Sequence, residues 1–212
     1  MTRIAAVVLA AGRSSRFRAA GGAEETKLVA ELDGKPIVRR IVEAALASRA
    51  RPVIVVVGHA RGAVEAALAG SPATLAFNPD FETGIASSLR TGLAATPADA
   101  DGAIVLLGDM PNVAPRLVDD MIGAFEARPT ARAVAPVRHG RRGNPVLIGR
   151  ALFEQAMQLV GDEGARRLLA TLGPAAVIDV AAAADVSFDV DTPDDLAVAR
   201  QAKNSEQPGC GD

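Results

Sequence analysis

The chain has 212 residues, enough to fill one good core. Its 23 basic and 25 acidic residues leave a formal net charge of -2, so neither nucleic acid nor an anionic membrane is attracted in general, and any phosphate must be held by a local site. No apolar run reaches the roughly 18 residues of a membrane span, and one cysteine with two histidines leaves no internal disulfide and no structural zinc site.

The first residues run straight into an apolar strand, Ile4–Ala10, with no separate hydrophobic segment and cleavage site, so no signal peptide is expected. With the cysteine usage this points to a reducing cytoplasm. Pro36 opens a helix that continues to about Ser48. A β-rich run, Pro52–Val57, follows, and then amphipathic helices at Arg61–Ala69 and Ser87–Ala95. Ala103–Leu107 reads as a strand, Pro115–Ala127 as a helix and Ala131–Val137 as a weaker strand. A tight turn over Gly140–Gly143 leads to a strand at Asn144–Ile148, helices at Arg150–Val160 and Gly164–Leu172, and a last helix from Pro193 to Ala202. The strands are continuously rather than alternately hydrophobic, as buried parallel strands are. Alternation of strand and helix at this spacing predicts an α/β fold, a three-layer α/β/α sandwich around a mainly parallel, Rossmann-like sheet. Residues 1–202 are expected to form one domain, and the polar tail 203–212, with Cys210, to be disordered.

Three segments carry chemistry. After the first strand comes Leu9-Ala10-Ala11-Gly12-Arg13-Ser14-Ser15-Arg16-Phe17. Small residues at the carboxyl end of a strand let backbone N–H groups approach phosphate oxygens, Arg16 offers a bidentate guanidinium, and Lys27 adds a mobile point charge. Neither a dinucleotide fingerprint nor a Walker A loop is present, and a flexible basic surface loop is the bland alternative. Second, Ala103–Leu107 ends in Gly108-Asp109-Met110-Pro111. Asp109 is placed either to ligate Mg²⁺ or to start a turn. Third, Asp189-Val190-Asp191-Thr192-Pro193-Asp194-Asp195 is a good helix start with Thr192 as cap. It explains Asp191 less well, which stays open as a second metal ligand. Gly84-Ile85-Ala86-Ser87-Ser88-Leu89 offers helix-start N–H groups and hydroxyls, for a ligand or for capping. Arg141 and Arg142 sit in a turn, for an acceptor phosphate or for solvent.

Leu9-Ala10-Ala11-Gly12-x-Ser14-x-Arg16 followed by Lys27 resembles the signature of the MobA-like nucleotidyltransferases, and within them the molybdenum cofactor cytidylyltransferases. The resemblance covers about residues 4–200, and it implies a fold of the nucleotide-diphospho-sugar transferase type. Where that family often has glycine soon after the arginine, this chain reads Arg16-Phe17-Arg18 and reaches Gly21-Gly22 only later.

The resemblance implies that Leu9, Ala10, Ala11, Gly12, Arg13 and Ser14 wrap a triphosphate, with Asn78 and Ser88 on the base side. Arg16, Lys27 and Asp109 would be catalytic, Asp109 and Asp191 would hold Mg²⁺, and Arg142, Gly143 and Asn144 would lie near the acceptor. Guanylyl relatives usually carry a second glycine where this chain has Ala11, so CTP is favoured over GTP. The implied reaction moves CMP from CTP to a phosphorylated acceptor, molybdopterin bearing molybdenum, with release of pyrophosphate. A molybdoenzyme or its chaperone is the implied protein partner. The alternatives are a guanylyl or other NTP transferase acting on a different phosphorylated acceptor, and a carrier that delivers the cofactor without chemistry.

Overall fold

A computed structural model describes residues 2–182 and 189–204 of the chain. The expected tail lies, from residue 205 on and including Cys210, outside the described residues. The first half contains β1 (Ile4–Ala10), α1 (Ser15–Ala19), a small hairpin of β2 (Glu31–Leu32) and β3 (Lys35–Pro36), α2 (Ile37–Ala47), β4 (Val53–Val57), α3 (Arg61–Ala67), β5 (Thr74–Phe77) and α4 (Ile85–Ala94). The second contains β6 (Gly102–Leu107), α5 (Pro115–Ala127), β7 (Ala133–Arg138), β8 (Arg141–Arg142), β9 (Val146–Gly149), α6 (Phe153–Ala156), α7 (Ala165–Thr171), β10 (Val177–Ala181) and α8 (Pro193–Asn204).

The main sheet runs β10-β7-β9-β6-β1-β4-β5, with β8 paired to β7. β1 lies parallel between β4 and β6. β4 continues parallel to β5, and β10 is parallel to β7. Only β9 runs against its two neighbours, β6 and β7, in the seven-strand path. The sheet is therefore mixed and mostly parallel, and no helix among the described residues is long and apolar enough to cross a membrane.

Period-two alternation divides the strands between two cores. Ala6 and Val8 of β1, Val55 and Val57 of β4, and Ile104 of β6 face α2, α3 and α5 through Val38, Ile41, Val64, Val118 and Met121. Val7, Leu9, Val56 and Val105 face the other way, towards Leu89, Leu93, Phe153 and Leu168 of α4, α6 and α7. Burial on both faces is why these strands read as unbroken apolar runs. It also makes the three-layer α/β/α sandwich.

Several expected boundaries move. The turn expected over Gly140–Gly143 sits at His139 and Gly140, whose φ angles are 48° and 73°. Positive φ at both central residues suits the twist of a two-residue hairpin, so Arg141 and Arg142 belong to strand β8. The helix expected over Arg150–Val160 is only α6, preceded by a 3₁₀ turn at Arg150–Leu152. Its end tightens through i→i−3 bonds, Gln158 N–H to Gln155 and Leu159 N–H to Ala156, before Gly161 turns the chain at φ 57°. Strands β5 and β10 were not anticipated: β5 is a mostly exposed edge strand and β10 alternates, so neither reads as a continuous apolar run.

Gly92 lets α4 lie close on the sheet. A Cβ there would strike Val7 Cγ1 and press on Val56 Cγ2. Any residue other than glycine gains up to about 1 kcal/mol of helix propensity, but overpacking a tight interior costs about 1–3 kcal/mol. Gly92→Val, which adds two further methyls, is expected to lower the unfolding free energy by at least about 2 kcal/mol, read by urea denaturation; an unchanged midpoint would contradict this packing.

Candidate active site

Because β1, β4 and β6 are parallel, their carboxyl ends open on the same edge of the sheet, where open α/β folds bind ligands. The segment after β1 is not a plain loop. Ser14 takes a left-handed conformation, φ 52°, and the short helix α1 starts at Ser15. Phe17 is 1% exposed and packs with Ala30, Leu32, Ile37, Val190, Leu196 and Ala199. Burial of Phe17 turns Arg16 and Arg18 outward on either side of it. The late glycine is explained by the same ring, since a Cβ on Gly22 would collide with it.

Lys27 is held from behind. Ser14 Oγ and Thr26 Oγ1 are 2.8 Å apart, and the Lys27 N–H donates to Ser14 Oγ at 3.2 Å. Thr26 is fully buried and caps the 3₁₀ turn Lys27–Val29 through the Leu28 N–H. This clasp ties the tip of the first loop to the lysine thirteen residues further on.

From that anchor the lysine ammonium reaches two carboxylates. Lys27 Nζ lies 2.7 Å from Asp109 Oδ2 and 2.7 Å from Asp191 Oδ1, with its side chain only 12% exposed. The Arg16 guanidinium, 80% exposed, closes the chain at 2.8 Å from Asp191 Oδ2. Burial lowers the affinity of Lys27 for its proton, but the charge and hydrogen bonds of Asp109 and Asp191 outweigh it, and its pKa is raised above the ordinary value. The hydrogen bond from Lys27, with help from Arg16, holds Asp191 below the usual carboxylate range. Burial, and then the charge of Asp109, pushes Asp189 up to about 6, although its own surface is open to solvent.

Asp109 Oδ1 is buried and has no hydrogen-bond partner among the described residues. A buried carboxylate oxygen left without a donor is costly unless a cation or water meets it. Hard oxygen donors from two carboxylates at the edge of a polar cavity fit a divalent cation of the Mg²⁺ kind, which takes its other ligands from phosphate and water.

The acidic segment Asp189–Asp195 resolves into two jobs. Asp195 Oδ2 accepts from the backbone N–H groups of Asp191 and Thr192, and Thr192 Oγ1 accepts from the Asp195 N–H. This reciprocal box caps α8 and leaves the Asp191 carboxylate for the site. The Val190 N–H donates to the Asp109 carbonyl at 3.1 Å, which fastens this segment to the end of β6.

Ser14, Arg16, Lys27, Asp109 and Asp191 border one cavity of about 460 Å³. Of the residues singled out in the sequence, Leu9, Ala11, Gly12, Arg13, Ser14, Arg16, Lys27, Ser88, Asp109 and Asp191 line it. Ala10 is fully buried behind it. Asn78 is also behind the wall, 1% exposed. Its amide donates to Ser87 Oγ at 2.9 Å and to Ser88 Oγ at 3.0 Å, while its oxygen accepts from the Asp80 N–H. The helix start at α4 is less free than its sequence suggests. The Ala86 N–H is taken by the Gly161 carbonyl, and Ser87 Oγ lies within hydrogen-bond distance of the Asp80 and Gly84 carbonyls. Arg142, Gly143 and Asn144 do not line this cavity. Arg142 pairs with Asp179 at 2.6 Å and borders a separate hollow with Arg166.

The cavity has further walls, of which Phe81 was not announced by the sequence. Phe81, Ile85, Leu107 and Phe17 supply apolar wall, and Asp162 a further carboxylate. Phe81 sits on a 3₁₀ turn with its ring 6.0 Å from that of His59. An aromatic just upstream of a glycine-started helix was the available signal.

A family model, the MobA-like NTP transferase domain, matches residues 6–177. The chain belongs to this family. Its fold is that of the nucleotide-diphospho-sugar transferase type. Purine catabolism protein PucB from Bacillus subtilis is 31% identical over 208 residues, spanning 92% of this chain and 95% of that protein. Bifunctional protein GlmU from Sorangium cellulosum is 32% identical over 169 residues, or 76% of this chain, but the match spans only 34% of the length of that relative. Among solved structures, Rv0371c from Mycobacterium tuberculosis superposes with a TM-score of 0.81 at 30% identity, covering 94% of this chain and 99% of its own. A second structure of Rv0371c is a complex with manganese, with a TM-score of 0.79 at 28% identity, covering 95% of this chain and 100% of its own.

Asn78 tests the wall of this nucleotidyltransferase cavity. Asn78→Ala would take the acceptor from the Asp80 N–H and the donor from Ser88 Oγ, while Ser87 Oγ keeps the Asp80 and Gly84 carbonyls, and an unmet buried polar group costs about 1–3 kcal/mol. Chemical denaturation is expected to show a loss of about 2–3 kcal/mol, and an unaffected midpoint would mean that these bonds contribute nothing.

Proposed function

We propose that this chain is a cytidylyltransferase that moves CMP from CTP to a phosphorylated, molybdopterin-type acceptor, in the cytoplasm. The observation that carries the reading is the convergence of Arg16, Lys27, Asp109 and Asp191 at the mouth of the first loop, inside one cavity.

An acceptor phosphate oxygen attacks the α-phosphorus of the nucleotide. The new P–O bond forms as the bond to the β-phosphate breaks, and pyrophosphate leaves with that electron pair. The attacking oxygen is already ionised at neutral pH, so the protein need not supply a strong general base. Its task is alignment and neutralisation of charge. Leu9, Ala11 and Gly12 bring backbone close to the phosphates, while Ala10 holds the strand end from the core. Ser14, through its clasp to Thr26, fixes the lysine relative to that backbone. Lys27 and Arg16 meet the negative charge on the α-phosphate and on the departing pyrophosphate. Arg13, paired with Glu82 at 3.6 Å, joins the phosphate loop to the base-side wall, where Ser88 is held in place by Asn78.

Asp109 and Asp191 would hold Mg²⁺, which, when bound, neutralises the polyphosphate and polarises its oxygens. The unpartnered Asp109 Oδ1 supports this, and so does the manganese complex of Rv0371c. Preference for CTP is supported by the Ala11 methyl in the cavity lining, where a second glycine would leave more room. One methyl discriminates by only about 1–3 kcal/mol, that is roughly 10–200-fold. The acceptor and a molybdoenzyme or chaperone as recipient rest on the sequence resemblance. Arg142, Gly143 and Asn144 would meet the acceptor from outside the nucleotide cavity.

Two measurements follow. Pyrophosphate release with Mg²⁺ and a molybdopterin acceptor is expected to be at least about tenfold more efficient with CTP than with GTP in kcat/KM; equal or reversed efficiencies would remove the cytidylyl assignment. Asp109→Asn is expected to lower kcat by at least about a hundredfold while the circular dichroism spectrum is kept. Near-normal metal-dependent turnover in that variant would show that the metal sits elsewhere.

A further inference from the structure

The Lys27 ammonium does not stand beside the two carboxylates but between them, 2.7 Å from an oxygen of each. That is the place from which a single cation pairs with both at once. We propose that Lys27 is an internal counter-ion that competes with the divalent metal for Asp109 and Asp191, so that the metal enters only when a polyphosphate draws the ammonium away. The inference rests on the reading of Asp109 and Asp191 as the metal-holding pair.

Charge carries the argument. Lys27 and Arg16 bring two positive charges to the two negative charges of Asp109 and Asp191, so these four side chains balance one another, with Asp162 and Asp189 as further carboxylates nearby. A divalent cation added to it would face an ammonium at close range in a partly dry site, where like charges repel strongly. A polyphosphate on the first loop reverses the balance. It offers Lys27 and Arg16 a new anionic partner and frees both carboxylates.

The backbone limits how the exchange can happen. The Lys27 N–H is bound to Ser14 Oγ, and its carbonyl accepts from the Ala30 N–H. Leu28, next in the chain, is 4% exposed in the main core. The lysine main chain therefore stays in place, and the four-carbon stem is the mobile part. A swing of that stem moves the charge from the carboxylates towards the loop that Ser14 ties to it. Because Arg16 is largely exposed, it can follow without opening the core. Coupling of this kind is reciprocal: whatever factor the polyphosphate adds to metal affinity, the metal adds to polyphosphate affinity.

The test is Mn²⁺ binding to the full chain with no nucleotide present, followed by the electron paramagnetic resonance signal of the free ion. Wild type is expected to bind Mn²⁺ weakly. Lys27→Met and Lys27→Gln, which remove the charge, are expected to bind it at least about tenfold more tightly, as the strength of a close charge pair implies. Lys27→Gln keeps an amide able to donate to a carboxylate, so the comparison survives if the methionine variant fails to fold. Lys27→Arg, which keeps the charge, is expected to match wild type. Adding Asp109→Asn to either neutral variant is expected to abolish the gain.

If the neutral variants bind Mn²⁺ no better than wild type, the counter-ion role is overturned. If wild type already binds tightly and Asp109→Asn removes that binding, the metal assignment stands and the competition falls. If no variant binds Mn²⁺ through Asp109, both fall.

Discussion

A lysine ammonium held in a largely buried position is tolerable only if its charge is met, and Lys27 meets two carboxylates at 2.7 Å each. This three-centre contact organises the whole edge of the sheet. It joins the segment after β1, the end of β6 and the residues that lead into α8, which are far apart in sequence. Salt bridges this short and partly dry add little net stability once desolvation is counted. They do fix where three side chains stand. What they give the molecule is a defined constellation rather than a more stable fold.

The scaffold makes that constellation unavoidable. Parallel β1 and β6, paired from Ile4↔Gly102 to Leu9↔Leu107, end at the same level, so Gly12 and Asp109 emerge side by side. Phe17 then seats α1 against α8, which brings Arg16 to Asp191. The Thr192–Asp195 box satisfies the start of α8 on its own, and the Asp191 side chain stays available. Each functional group is thus positioned by an interaction that does not itself take part in the chemistry.

The sequence exposed the centre of the sheet well and its margins poorly. Ile4–Ala10 and Pro115–Ala127 have the expected bounds, because a strand buried on both faces and a helix with proline in its first turn leave strong local patterns. Edge strand β5 is mostly solvated and carries no such pattern, and α6 ends in a local 3₁₀ tightening before Gly161 rather than where composition changes. In the site, Lys27, Asp109 and Asp191 were legible because charged residues at strand ends and helix starts are conspicuous. The clasp between Ser14 and Thr26 was not, since two hydroxyls twelve residues apart give no periodic signal. Asn78 illustrates a subtler gap. Its place near the cavity wall was readable, but only packing reveals that it holds Ser87 and Ser88 from behind. Arg142 shows the reverse case: its charge drew attention as a free cation, and the fold pairs it with Asp179.

On the proposed reading one cavity takes a metal-bound nucleotide, and Lys27 and Arg16 turn from carboxylate to phosphate when it does. A crystal structure with Mn²⁺ and CTP tests it most directly, because the anomalous signal of manganese locates the metal independently of the nucleotide. Manganese is expected on Asp109 and Asp191, with Lys27 Nζ and Arg16 moved onto phosphate oxygens. Nucleotide bound elsewhere, with Lys27 still bridging the two carboxylates, would contradict it.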